Sequence, residues 1–252
     1  MNFWTELNDG RGYALDALTP AELAEVRGVI TDQYLGHLRA AAPELVGPAA
    51  AAGIQNYHTL PVPFDHGSFW GKEKRVPPLS AVPVFERMGF FRRIRDLLPS
   101  AAVYHDDLMW RVVRPNQPSD VGPVHADKWF WDAGNGALPA GHDRFKIWMA
   151  VFTEPGRNGL TVKEHSHTSD RWKHHFEFKH GKMKPVLDES PEEIGMELLP
   201  LAAGEMVLFH DALLHGGALN VGTTCRVSIE VTVMYLADEG ERRLAEARRA
   251  AA

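Results

Sequence analysis

The sequence predicts a mainly β protein with helices, a sandwich or jelly roll behind a largely helical N-terminal third. Residues 19–41 and 81–98 carry apolar side chains at helical spacing. From residue 107 onward the chain breaks into short runs rich in β-branched and aromatic residues, separated by Gly, Pro and Asn. The length of 252 residues and the 44 % apolar content suit a single domain of this kind with a sizeable core.

Taken in order, Thr19 as N-cap and Pro20 at the first helical position open an amphipathic helix that uses Leu23, Val26, Ile30, Tyr34 and Leu38. A second helix is expected over 81–98, with Phe85, Met88, Phe91, Ile94 and Leu97 on one side. The Pro-rich region between them holds Tyr57, Phe64, Phe69 and Trp70 and reads as loop over a core. Strands are expected at 109–113, 145–152, 160–162, 196–199, 205–209 and 226–235, evenly enough spaced for a sandwich or jelly roll. The last alternates Val227, Ile229, Val231 and Val233 against Ser228, Glu230 and Thr232. Residues 239–249 read as a short, frayed, exposed helix. The whole is expected to form one domain: a helical part (1–104), a β core (105–236) and a tail (237–252).

A net charge of −6 and a pI near 6.1 argue against a nucleic-acid or membrane surface as the general partner. Cys225 is the only cysteine, so no intrachain disulfide forms, and the N-terminus lacks a secretory signal; a cytoplasmic location is expected. No apolar run reaches the length of a membrane span.

Two neutral imidazoles and one carboxylate on one face of a metal form the facial triad of non-heme iron(II) oxygenases. Here His125-Ala126-Asp127 supplies a pair that shares a face if the segment is extended. Short motifs count only in context: chance supplies roughly one His-x-Asp triplet in a chain with 13 His. A second triplet does occur at His105, Asp106 and Asp107. The third ligand is His210 or His215, both at the end of the 205–209 strand. His215 is favoured, because Gly216 and Gly217 leave room for a small molecule and a strand from Arg226 returns a guanidinium past the site. Arg226 suits capture of a carboxylate; the alternative is an ion pair with Glu230 or Asp211.

With these residues the chain resembles the phytanoyl-CoA dioxygenase superfamily of iron(II)- and 2-oxoglutarate-dependent oxygenases over about residues 107–235. The ordered matches are His125-Ala126-Asp127, an aromatic-rich loop, Trp148, Asn158-Gly159-Leu160, Ser166-His167, His215-Gly216 and Arg226. The resemblance implies a cupin-like double-stranded β-helix in which His125, Asp127 and His215 bind iron(II). By the same resemblance Arg226, helped by Ser228, holds the distal carboxylate of 2-oxoglutarate, and Trp148 lines the cosubstrate pocket. Oxygen is then the second cosubstrate, and a substrate C–H bond is hydroxylated. Asp127 stands where related halogenases have glycine, which favours hydroxylation. The chain departs from the family at Glu164-His165, where Pro-Gly is expected. His167 is read as structural, and His105 and Asp107 as preceding the first barrel strand.

Two segments bear on the substrate, a small molecule. Lys128-Trp129-Phe130-Trp131-Asp132 is dense in rings that could stack on a sugar or pack the barrel mouth. Arg171, Lys173, Lys179, Lys182 and Lys184, with His174, His175 and His180, form a local basic cluster that suggests an anionic substrate. The combination resembles superfamily members of surface-polysaccharide synthesis, such as hydroxylases of the acidic sugar Kdo. A free amino acid or natural-product intermediate is the alternative. A non-oxidative cupin-like metal-binding or sensing module is the alternative of another class, and a zinc or nickel isomerase or hydrolase a third.

Overall fold

The computed structural model describes residues 3–179 and 182–251. The N-terminal part comprises α1 (Phe3–Asn8), β1 (Tyr13–Ala17), α2 (Pro20–Ala41), α3 (Val46–Ala52), α4 (His66–Phe69), α5 (Lys72–Arg75), α6 (Val82–Glu86) and α7 (Gly89–Leu97). Then follow β2 (Ala102–Val113), α8 (Asp127–Asp132), β3 (His142–Phe152), β4 (Leu160–Val162), β5 (His174–Lys179), β6 (Lys182–Leu187) and α9 (Pro191–Ile194). The chain continues through β7 (Glu197–Leu198), β8 (Glu205–His210), β9 (His215–Gly217), β10 (Arg226–Leu236) and α10 (Ala237–Ala251).

Helix α2 begins as expected. Thr19 and Glu22 form a reciprocal capping box, Pro20 occupies the first turn, and Val26, Ile30, Tyr34 and Leu38 form the buried stripe. The helix expected over 81–98 is two helices. Met88 is extended between them (φ −67°, ψ 154°), and the Gly89 N–H donates to the Glu22 carboxylate of α2, so a tertiary cap interrupts the run. The tail helix is longer than expected and docked rather than frayed. Trp4 Nε1 donates to the Gly240 carbonyl, Arg243 Nε to Leu97 O, and Glu239 accepts from Ser100.

Two antiparallel sheets form an open jelly-roll-like sandwich, with strand orders β1-β8-β3-β10-β2 and β7-β4-β9. Between them pack Tyr13, Trp148, Leu160, Val162, Val207 and Phe209. The outer face of the larger sheet, with Trp110, Ile147, Met149, Leu208, Ile229 and Val231, shares a core with Val26, Ile30, Tyr34, Phe85, Phe91 and Ile94 of the helical layer. The helices therefore cover one face and leave the other to line the sandwich interior.

The expected strands are present, with some ends moved by one to three residues. Strand β2 starts at Ala102, seven residues early, so His105 and Asp107 lie on it rather than before it. A bulge sits opposite Glu230 and Thr232. Strand β1 and the β5–β6 hairpin were not expected; the hairpin occupies the segment read as a basic cluster. Of that cluster, His180 and the side chains of Lys179 and Lys182 lie outside the described residues. No described helix is long and apolar enough to cross a membrane.

Candidate metal centre

Strand β9 brings His215 to the segment before α8. His125 N–H donates to His215 O and His215 N–H to His125 O, each at 2.9 Å. The turn before β9 is held by Leu214 N–H, which donates to the buried Ser166 Oγ (2.8 Å). Ala126 is extended (φ −104°, ψ 137°), and Asp127 begins a short helix whose Lys128 N–H donates to Asp211 O. One extended residue is enough to put His125 and Asp127 on the same side. The rest of the aromatic segment is helix, not loop.

The ligand atoms of His125, Asp127 and His215 lie within 4.8 Å of one another. Each imidazole Nδ1 faces a carbonyl, Pro123 O at 2.8 Å and Leu213 O at 3.0 Å. A carbonyl can only accept, so each Nδ1 carries the proton and each Nε2 presents a lone pair. The two Nε2 atoms are each 3.6 Å from a different Asp127 oxygen. Burial pushes the His215 imidazole down to about 4, keeping it neutral at ordinary pH. Burial alone would raise the Asp127 carboxyl, but Lys146 and the two histidines outweigh it and hold it far below the usual range. Asp127 Oδ2 is buried without a hydrogen-bond partner. The donor set suits a divalent metal with open coordination positions.

Arg226 starts β10 inside the sandwich, 2 % exposed. Its Nη1 donates to Gly159 O (2.5 Å), a carbonyl presented by a glycine at φ 142°. Its guanidinium lies 5.8 Å from the Trp148 ring centroid. Neither carboxylate considered as its partner is available: Glu230 pairs with Arg111 (2.7 Å) and Asp211 with Arg144 (2.6 Å). Arg226 Nε is left unpartnered, as is Ser228 Oγ two residues along the same face. A buried cation without a counter-anion costs several kcal/mol, of order 3–5. A bound carboxylate would remove that cost and supply what both orphaned atoms lack.

The profile of the phytanoyl-CoA dioxygenase (PhyH) family matches residues 26–228. The chain belongs to this family. As a PhyH protein it is an iron- and 2-oxoglutarate-dependent oxygenase, and the His125, Asp127 and His215 cluster fits the iron site. Three solved structures share the fold. EvdO2 from Micromonospora carbonacea var. aurantiaca, complexed with 2-oxoglutarate, is 16 % identical, with 92 % of this chain and 89 % of that one covered and a TM-score of 0.59. EctD from S. alaskensis in its apoform is 16 % identical over 95 % and 78 % of the chains, at 0.53. The epimerase SnoN, in complex with Fe3+, alpha ketoglutarate and nogalamycin RO, is 18 % identical over 92 % and 82 %, at 0.50. No curated protein matches by sequence.

Other expected residues of this PhyH protein fall as follows. His210 is turned away from the triad, its Nδ1 accepting from Ala212 N–H, beside a polar cleft lined by Lys128, Trp131, Arg144 and Asp211. Gly216 and Gly217 do not leave space for a ligand. A Cβ on Gly216 would lie 3.2 Å from Val124 Cγ2, and one on Gly217 3.1 Å from Arg226 Nη1, so these glycines admit the loop and the guanidinium. His165 takes the left-handed conformation (φ 60°), doing without the expected glycine, and His167 packs at the α1–β1 turn with Nε2 3.4 Å from Asn8 O. Phe130 meets His125 edge-on, while Trp129 stacks on His174 (4.0 Å, 11°), seating the hairpin on α8.

Sequence reasoning missed the charged lining. Lys146, buried on β3, contacts Asp107, donates to Thr232 Oγ1 (2.9 Å) and approaches Asp127 Oδ2 (3.9 Å). Its ammonium is held far above its ordinary range by Asp107 and Asp127, against burial. Asp107 is no triad member; burial opposes its ionisation, but Lys146 and Lys72 hold it down at about 2. The available signal was the alternation of Ser228, Glu230 and Thr232 on β10. That polar side faces the interior, with Ser228 and Thr232 fully buried.

Proposed function

We propose that the chain is a hydroxylase in which His125, Asp127 and His215 hold iron(II), and in which Arg226 and Ser228 hold the distal carboxylate of 2-oxoglutarate. The observation that carries it is the pair of orphaned buried groups, Arg226 Nε and Ser228 Oγ, on the sheet face that looks at the triad. Iron bound there supplies the chemistry that couples oxygen and 2-oxoglutarate to hydroxylation of a C–H bond. The protein's own part is positional. The carbonyls of Pro123 and Leu213 fix the imidazole tautomers, Lys146 keeps Asp127 ionised, and Trp148 walls the pocket beside Arg226. The presence of Asp127 supports hydroxylation rather than halogenation.

The substrate in this reading is a small, polar, anionic molecule, an acidic sugar such as Kdo or another surface-polysaccharide precursor, with a free amino acid or natural-product intermediate as the competing class. The chain is read as a single cytoplasmic domain, supported by the shared core of helices and sheet and by Cys225, whose buried thiol burial pushes up to about 11. A passive metal-binding module, or a zinc or nickel enzyme working without oxygen, has no need of an unpaired arginine beside the metal.

Anaerobic addition of iron(II) and then 2-oxoglutarate tests the reading. A weak visible charge-transfer band that is absent in His215→Ala supports it. Bound metal with no band would favour the non-oxidative alternatives.

A further inference from the structure

The interior of the sandwich carries more positive charge than its visible partners balance. Five cationic side chains line or border it, Lys72 at the solvent-exposed rim (44 % side-chain exposure) and Arg75, Arg111, Lys146 and Arg226 farther in, against the three carboxylates of Asp107, Asp127 and Glu230. Adding a divalent metal and a doubly charged 2-oxoglutarate leaves the excess of two unchanged. Pairing locates it. Arg111 is matched by Glu230, Lys146 by Asp107, and Arg226 by the cosubstrate in the reading above. Lys72, at 3.2 Å from Asp107 Oδ1, shares a carboxylate already taken by Lys146. Arg75 has no carboxylate partner among the described residues, and its Nε is buried without an acceptor.

Both surplus groups come from one turn, α5, packed against β2. Lys72 and Arg75 stand three residues apart and share a face. Glu73 is exposed, and Lys74 lies over the Phe69 ring (3.8 Å). Arg75 Nη1 reaches the Trp110 carbonyl at 3.4 Å, a long bond to a neutral acceptor. Burial, together with the neighbouring Arg111, pushes the Arg75 guanidinium down to about 10 against the weaker attraction of Glu230 and Glu73, neither of which forms an ion pair with it, so it stays charged. The chain Lys72–Asp107–Lys146–Asp127 ties this turn to the triad through consecutive charged contacts.

We propose that Arg75 and Lys72 form a subsite for an oxyanion of the substrate, a carboxylate or a phosphate-like group, where α5 packs against β2 at the rim of the sandwich interior. A bidentate guanidinium and a nearby ammonium would hold one end of the substrate while another part lies at the triad. This rests on the reading of the triad and Arg226 given above, and it moves the anion-recognising role from the β5–β6 hairpin to α5.

The test is calorimetric titration of sulfate, standing for a phosphate-like group, and of acetate, standing for a carboxylate, into protein loaded with nickel(II) and 2-oxoglutarate at low ionic strength. Saturable binding of one of them is expected in the wild type, weakened ten-fold or more in Arg75→Met and several-fold in Lys72→Met, with Arg75→Lys in between. Preference for sulfate or acetate tells which group the substrate carries. Affinities equal in wild type and variants, or no saturable binding in the wild type, would overturn the proposal. Should Arg75→Met not fold, Lys72→Met and Arg75→Lys decide it alone. The affinity for 2-oxoglutarate is read in the preceding loading step. A wild type that fails to bind 2-oxoglutarate would sink the Arg226 reading, an outcome separate from the loss of sulfate or acetate binding.

Discussion

The main chains of His125 and His215, ninety residues apart, exchange two hydrogen bonds of 2.9 Å and so hold their imidazoles 4.5 Å apart, centroid to centroid. Their Nε2 atoms converge on Asp127 from the two ends of this backbone bridge. Backbone hydrogen bonding thus fixes the position of two of the three ligands. Asp127→Ala is expected to weaken iron(II) binding by 100-fold or more, since it removes the only carboxylate of the cluster. Asp107→Ala, at the other His-x-Asp triplet, should cost less than ten-fold. Competition with a coloured chelator measures both, and the reverse order would show that the wrong triplet had been chosen.

Arg226→Met removes the unpaired guanidinium and is expected to raise the 2-oxoglutarate dissociation constant about 10- to 100-fold, the range of a charge-assisted hydrogen bond. Gly217→Ala reaches the same end indirectly, because its Cβ would press on Arg226 Nη1 at 3.1 Å. It should weaken 2-oxoglutarate several-fold while leaving iron(II) binding within two-fold. Tryptophan-quenching titrations of both variants give the comparison.

Lys146 sits among Asp107, Asp127 and Thr232 at 6 % side-chain exposure. Lys146→Met would leave buried carboxylates without their counter-charge and is expected to cost about 3–5 kcal/mol in the metal-free protein. Urea denaturation reads that loss directly. A variant as stable as the wild type would mean that solvent, not Lys146, neutralises the two carboxylates.

The metal-free protein should lose stability as pH falls from about 6.5 toward 4. Burial holds His215 and His167 down at about 4, and it also lowers His37, His66 and His210. In that window the unfolded chain binds protons that the folded one refuses, so stability rises with pH, by at most about 1.4 kcal/mol per pH unit for each fully buried imidazole. Asp211, which burial raises to about 6, acts oppositely but is one group against five, and His175, raised by Asp188 and Glu177, is exposed. Urea midpoints at pH 7, 6 and 5 check the sign, and a flat profile would contradict it.

Much of the fold was legible where local chemistry decides it. The Thr19 and Pro20 start of α2 and the alternation along β10 depend on neighbours in sequence, and both appear as read. The helix over 81–98 was not, because its interruption needs Glu22, 67 residues away, to cap Gly89. Lys146 was missed, and Asp107 placed before the first barrel strand, for a related reason: the inward turn of a polar side chain shows only when its partners are visible, and these partners lie far along the chain.

By itself the sequence determined the ligand types, the family motifs in their order and the mainly β character, since those follow from residue identity and short-range periodicity. Only the tertiary structure decided that His215 and not His210 meets His125 and Asp127, and that Arg226 lacks a carboxylate while Arg111 and Arg144 have theirs. Pairing among buried charges is set by which strands lie side by side and which faces turn inward. That is a matter of long-range packing, and no local pattern along the chain encodes it.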